Sequence, residues 1–166
     1  MLNEHESFLS TAEESAEWAT ATPLDPPLRG VAKVGNMANV RVERTDDGGF
    51  RATNARGAEV RIGGGDEDGV FTPVELLLAA VGGCNIVTVE PLTAQRNKRL
   101  VRLEMTVQAE KVEQSKLGPV TVTYDVELPS EDARAVFEAV AKRVHEKYCT
   151  VSRSLQEGTE VRLELP

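Results

Sequence analysis

Thr72-Pro73-Val74-Glu75 opens the run Leu76-Leu77-Leu78-Ala79-Ala80-Val81-Gly82-Gly83-Cys84-Asn85-Ile86-Val87-Thr88-Val89, whose reading decides the fold. The opening four residues have the T-x-x-E form of a capping box, with proline at the favoured first helical position. The run behind them is apolar around its whole circumference, which predicts a long helix buried on all sides. Gly82 and Gly83 each lower helix propensity by roughly 1 kcal/mol, so close approach of another backbone or a ligand is expected there. Pro91 removes one helical hydrogen bond and predicts a kink near Val87.

Working outward, residues 31–62 read as strands. Val40 and Val42 alternate with Arg41 and Glu43, Asp46-Asp47-Gly48-Gly49 supplies turn chemistry, and Phe50 begins a return strand. A third short strand is expected over residues 58–62. The glycine-rich stretch 63–69 holds Asp66, Glu67 and Asp68 and has no following lysine, so it reads as a loop rather than a phosphate cradle. Downstream, Val101, Leu103, Met105 and Val107 share one face of a strand, and Val122, Tyr124, Val126 and Leu128 share one face of the next. Ser130 is expected to cap a helix with the stripe Ala133, Val136, Phe137, Val140 and Val144. A short helix follows over 151–156, ended by Gly158, and residues 159–165 alternate as a last strand. The order βββ-α-ββ-αα-β defines an α+β fold.

The chain has 166 residues, 40% of them apolar and 28% charged, which is enough for one globular domain (31–166) and a short appendage. That appendage, residues 1–30, is acidic and then proline-rich (Pro23, Pro26, Pro27), and reads as an arm or linker. The net charge of −8 repels phosphate backbones and anionic lipid heads, which argues against nucleic acid and membrane surfaces as partners. No run is expected to reach the ~18 apolar residues of a spanning helix, and the first ten residues lack a basic, then apolar, leader. A cytoplasmic location is the resulting expectation.

Cys84 and Cys149 are the chain's two cysteines, and His5 and His145 its two histidines. These four match no usual zinc spacing, so neither a metal nor another cofactor is expected. In a reducing compartment a catalytic or switching thiol pair competes with two inert buried thiols. Cys84 is the twelfth residue of its helix, too far from the positive end of that helix's dipole to be ionised by it. Apolar burial alone would raise its pKa, so reactivity requires a cation from another segment, most economically an arginine. Cys149, at a helix junction, is expected to face the start of the short helix and remain accessible.

Residues 72–84 resemble the central-helix motif of the OsmC/Ohr family, and Cys149-Thr150-Val151-Ser152-Arg153-Ser154-Leu155 resembles that family's second cysteine motif. The resemblance covers roughly residues 31–166 and implies an intertwined homodimer with composite sites at the interface. It implies that Cys84 attacks an organic hydroperoxide as thiolate and becomes a sulfenic acid. Cys149 then resolves it to a disulfide, which a dithiol such as dihydrolipoamide reduces. Peroxidatic members carry a carboxylate directly after the helix-start proline, where this chain has Val74. Glu75, one residue later, lies on the face opposite Cys84 and reads better as a cap than as a site residue. The family's activating arginine lies between the first two strands, where Arg44 ranks ahead of Arg51. Arg153 is another available cation, and His145, four residues before Cys149, a possible base. The rival implication is a non-enzymatic dimeric stress or small-molecule-binding protein with vestigial thiols.

Overall fold

The computed structural model describes residues 38–166; the arm read at 1–30 lies outside the described residues. Three short strands, β1 (Val40–Arg44), β2 (Phe50–Asn54) and β3 (Glu59–Ile62), form an antiparallel sheet in sequential order. The β1–β2 turn closes through Thr45 and Gly49, with Gly48 at a φ of 88° that glycine adopts without strain. The register sets Val42, Ala52 and Val60 opposite one another, and Phe50 opposite Ile62. Because successive side chains alternate, Val40, Val42, Arg44, Phe50, Ala52, Val60 and Ile62 share one face. Arg41, Glu43, Arg51 and Glu59 share the other, where Arg51 pairs with Glu43 (3.0 Å) and Glu59 (3.6 Å). The apolar face is largely uncovered, with Val40 and Val42 each 60% exposed, and the sheet makes at most marginal contact with other elements.

Helix α1 (Pro73–Ala94) begins with a complete capping box. The Thr72 hydroxyl accepts from the Glu75 N–H (3.2 Å), and the Glu75 carboxylate accepts from the Thr72 N–H (2.7 Å). Such caps contribute about 1 kcal/mol. The expectation of burial on all sides is corrected. One stripe at four-residue spacing, Val81, Asn85, Val89 and Thr93, is buried, whereas Val87 is 68% exposed. The reason is that a single layer of neighbours (β4, α2, α3 and the turn between the helices) packs on α1 within one chain. Gly82 is approached by side chains rather than by a backbone or a ligand: an added Cβ there would lie 3.0 Å from Val107 Cγ2 of β4. Gly83 has open space beside it. By length and hydropathy α1 could cross a membrane, against the expectation that no segment would. Its buried stripe carries Asn85 and Thr93 into the protein's own interior, as a core helix does.

Strands β4 (Arg102–Glu113) and β5 (Lys116–Glu127) form a long antiparallel hairpin. Leu103, Met105 and Val107 face inward opposite Val126, Tyr124 and Val122, as their alternation predicts, whereas Val101, expected on the same face, precedes the strand and stands 62% exposed. Helix α2 (Ala133–Arg143) lays Ala133, Phe137, Val140 and Ala141 into the core. It starts later than expected. Asp132 is its N-cap without a side-chain capping bond, and the Ser130 hydroxyl is spent on the Asp132 carboxylate. A π-helical turn, Val144–Tyr148, links it to α3 (Thr150–Glu157), which ends at left-handed Gly158. The core is Val89, Leu100, Phe137, Val140, Ala141, Val144 and Cys149, with Tyr124 edge-on to Phe137 at 5.4 Å.

The last expected strand is also corrected: residues 159–166 form none. Val161 and Leu163 keep their alternation but stand 93% and 81% exposed. A strand needs a neighbour to receive its backbone hydrogen bonds, and among the described residues of one chain no sheet edge supplies it.

Candidate active site

Cys84 and Cys149, 65 residues apart in sequence, are brought into one packed cluster at the N-terminus of α3. The π-helical turn widens the backbone by one residue, so that the Cys149 N–H bonds the Val144 carbonyl at 2.8 Å. Cys149 thereby becomes the N-cap of α3 and turns inward. It is 0% exposed, which corrects the expectation that it would remain accessible. Its sulfur accepts from the Ser152 N–H (3.3 Å), the Ser152 hydroxyl (3.0 Å) and the Asn85 amide (3.4 Å).

Cys84, on α1, is only partly buried and packs against the same core. Its thiol is close enough to the Cys149 sulfur and to the backbone N–H groups of Val151 and Thr150 for each of them to shift its ionisation. Desolvation, together with the neighbouring Cys149, pushes the Cys84 thiol up against the pull of those two amides. Cys149 moves the other way: desolvation opposes its ionisation, but the Ser152 hydroxyl, the Cys84 thiol and the first-turn amides together outweigh it and bring it below its ordinary value. Of the two sulfurs, Cys149 is the one whose surroundings favour the thiolate. The positive end of a helix does supply charge to this site, but the helix is α3 rather than α1.

Among the described residues, two polar groups beside the pair find no hydrogen-bond partner. Asn85 Oδ1 is buried and unpaired, as is the Tyr124 hydroxyl. Burial, and then the nearby Cys149 sulfur, push the Tyr124 phenol up to about 12. A cavity of about 650 Å³ reaches Ser152 from the other side, lined by Val74, Leu77, Val81, Leu117, Lys116 and His145.

The remaining candidates are not assembled around the sulfurs within one chain. Among the described residues no guanidinium hydrogen-bonds either sulfur. Arg51 is committed to Glu43 and Glu59 on the polar face of its sheet, whereas Arg44 stands at the end of the apolar face. Glu75 is engaged at the helix start, where its hydrogen bonds to Thr72 hold its carboxyl below the usual range. Arg153 pairs with Glu157 at 2.8 Å, along its own helix. His145 opens on the cavity beside Ser152. Asn85, Ser152 and Tyr124 escaped the sequence reading, although two left a signal. Asn85 is a lone amide in an apolar helix, and Ser152 stands three residues after a cysteine, at capping distance.

An α+β fold with two cysteines brought together from a central helix and a following helix start defines a small class of proteins. The OsmC-like protein family profile matches residues 63–164, and the chain belongs to that family. An uncharacterized protein of Mycobacterium tuberculosis H37Rv is 33% identical over 132 residues, covering 78% of this chain and 96% of that one. An OsmC-like protein of Mycoplasma pneumoniae shares the fold with a TM-score of 0.60 at 14% identity, over 78% of this chain and 94% of its own. The organic hydroperoxide resistance protein OhrB of Bacillus subtilis superposes with a TM-score of 0.50 at 22% identity, over 78% and 98% of the two chains.

Proposed function

We propose that this protein is a cysteine-based peroxidase that reduces organic hydroperoxides through a Cys84 sulfenate and a Cys84–Cys149 disulfide. The observation that carries the reading is the packing of a partly exposed thiol against the core cluster that holds a buried, donor-surrounded one. Cys84 meets the peroxide first because Cys149 lies behind it. Its sulfur takes the terminal oxygen, the O–O bond breaks, and the Cys84 proton ends on the departing alkoxide to give an alcohol. Cys149 then attacks the sulfenic sulfur; the S–S bond forms and hydroxide leaves, taking up a proton as water. A dithiol of the dihydrolipoamide kind returns both sulfurs to the reduced state. No cofactor is required.

The working unit in this reading is a homodimer. The uncovered face of Val40, Val42 and Phe50 and the unpaired alternation of Val161, Leu163 and Leu165 both call for a covering surface, which a second copy supplies. Arg44 shares that face, and so is the arginine carried to the interface and the composite site. The two free cysteines suit the reducing cytoplasm, where we place the protein.

A second reading, a dimeric stress or small-molecule-binding protein with vestigial thiols, is favoured by two observations. Glu75 is occupied by capping, and the Cys84 thiol is pushed up rather than down. Thiol counting separates them. Treated with one equivalent of cumene hydroperoxide, the reduced peroxidase loses two thiols per chain much faster than free cysteine reacts. Hydrogen peroxide acts more slowly, because apolar walls reward alkyl burial at ~25 cal/mol per Å². Loss no faster than that of free cysteine supports the binder.

A further inference from the structure

The Cys149 sulfur is the focus of a small buried network that the peroxidase reading does not by itself require. Asn85 is fully buried, and its amide nitrogen donates to the Val81 carbonyl one turn earlier at 2.8 Å. That bond fixes the amide orientation, since the opposite one would set two acceptors against each other. The second amide hydrogen points between Ser152 Oγ and Cys149 Sγ, each at 3.4 Å. Ser152, itself 4% exposed, has one hydroxyl hydrogen, and it goes to the Cys149 sulfur at 3.0 Å. Every polar group placed on this sulfur is thus a donor, and the chain Asn85 to Ser152 to Cys149 runs in one direction. A neutral thiol gains little from three donors, whereas a thiolate gains from each.

We infer that Asn85 and Ser152 are positioning residues that stabilise the thiolate form of Cys149, so that the resolving sulfur ionises readily once Cys84 has been oxidised. The inference rests on the reading of Cys149 as the resolving thiol. The titratable groups facing this sulfur are Cys84 from α1 and Tyr124 from β5, while His145 opens on the cavity beyond Ser152. Once the Cys149 thiolate forms, it attacks the Cys84 sulfenic sulfur: S–S forms, the S–O bond breaks, and the departing hydroxide takes up the proton that Cys149 gave up, leaving as water. The sulfenic acid is then short-lived, and a second peroxide has little time to convert it to sulfinic acid.

The test begins with a measurement that needs no peroxidase activity. In the full-length Cys84→Ser protein, whose serine keeps a donor beside the remaining sulfur, thiolate absorbance at 240 nm reports Cys149 alone. The expected midpoint lies below the ~8.5 of free cysteine. Ser152→Ala and Asn85→Leu, added separately, each raise it by about one pH unit, a tenfold loss of thiolate at fixed pH, while Ser152→Thr restores it. A midpoint at or above that of free cysteine, or one that Ser152→Ala leaves in place, overturns the inference. The second arm uses the two-cysteine protein under excess cumene hydroperoxide. There Ser152→Ala is expected to increase Cys84 sulfinic acid severalfold by mass spectrometry. Unchanged sulfinic acid contradicts the poised-resolver role. If neither protein consumes peroxide, the peroxidase reading fails while the titration still judges the ionised sulfur.

Discussion

Cys84→Ser is expected to lower dithiol-driven reduction of cumene hydroperoxide at least about a thousandfold, equivalent to ~4 kcal/mol of transition-state stabilisation. The oxygen of serine is no substitute for sulfur as a nucleophile toward an O–O bond, and Cys149 is too deeply buried to take over. Cys149→Ser should behave differently. It retains one rapid oxidation per chain, then stalls, and Cys84 proceeds to sulfinic acid because no second sulfur intercepts the sulfenate. Steady-state turnover and intact-mass spectra of the two variants check this. Equal turnover of the wild type and Cys84→Ser would remove the nucleophile from the account. A Cys149→Ser protein that turns over normally would remove the resolver.

Phe137→Ala is expected to cost the largest share of stability, about 3–5 kcal/mol, read from the denaturant midpoint by circular dichroism. Phe137 sits in the core between α2 and the β4–β5 hairpin and packs edge-on against Tyr124. Both neighbours also support the thiols: Val144 and Cys149 belong to the same cluster, and Tyr124 stands by the Cys149 sulfur. Total stabilities of single domains are typically ~5–15 kcal/mol, so the loss is a large fraction. The variant should therefore also expose Cys149 to alkylation in the native state. A shift below about 1 kcal/mol would mean that this cluster does not hold the site.

Much of the fold was legible because its signals are local. Thr72, Pro73 and Glu75 announce the start of α1 within four residues, and the structure shows both reciprocal hydrogen bonds. The alternation through Leu103–Met105–Val107 and Val122–Tyr124–Val126 likewise needs only a pleated backbone. What could not be read is what depends on neighbours. The circumference of α1 is apolar, but how much of it is buried depends on how many layers pack there, and one chain supplies one. Residues 159–165 alternate as a strand would, yet hold no strand without an edge to pair with. Ser130 and Asp132 compete for the same helix start, and a side-chain bond between them removes the expected cap.

The site divides along the same line. Cys84 and Cys149 were visible as motifs, but the inward turn of Cys149 follows from a π-helical turn that no periodicity announces. The expected cation was an arginine; the charge found at the sulfurs in one chain is instead that of the α3 amides and the Ser152 hydroxyl. Arg44 and Arg51 differ in consequence only through the strand register. It places Arg51 among carboxylates and Arg44 on the apolar face.

Peptide mapping after oxidation tests the claim that these two sulfurs react with each other. The reduced protein is treated with one equivalent of organic hydroperoxide, alkylated under denaturing conditions and digested without reductant. The account predicts one dominant crosslinked species joining the Cys84 and Cys149 peptides, recovered from protein that remains a single chain under denaturation. Recovery of both cysteines as alkylated thiols, or of Cys84 as sulfinic acid beside a free Cys149, would contradict it.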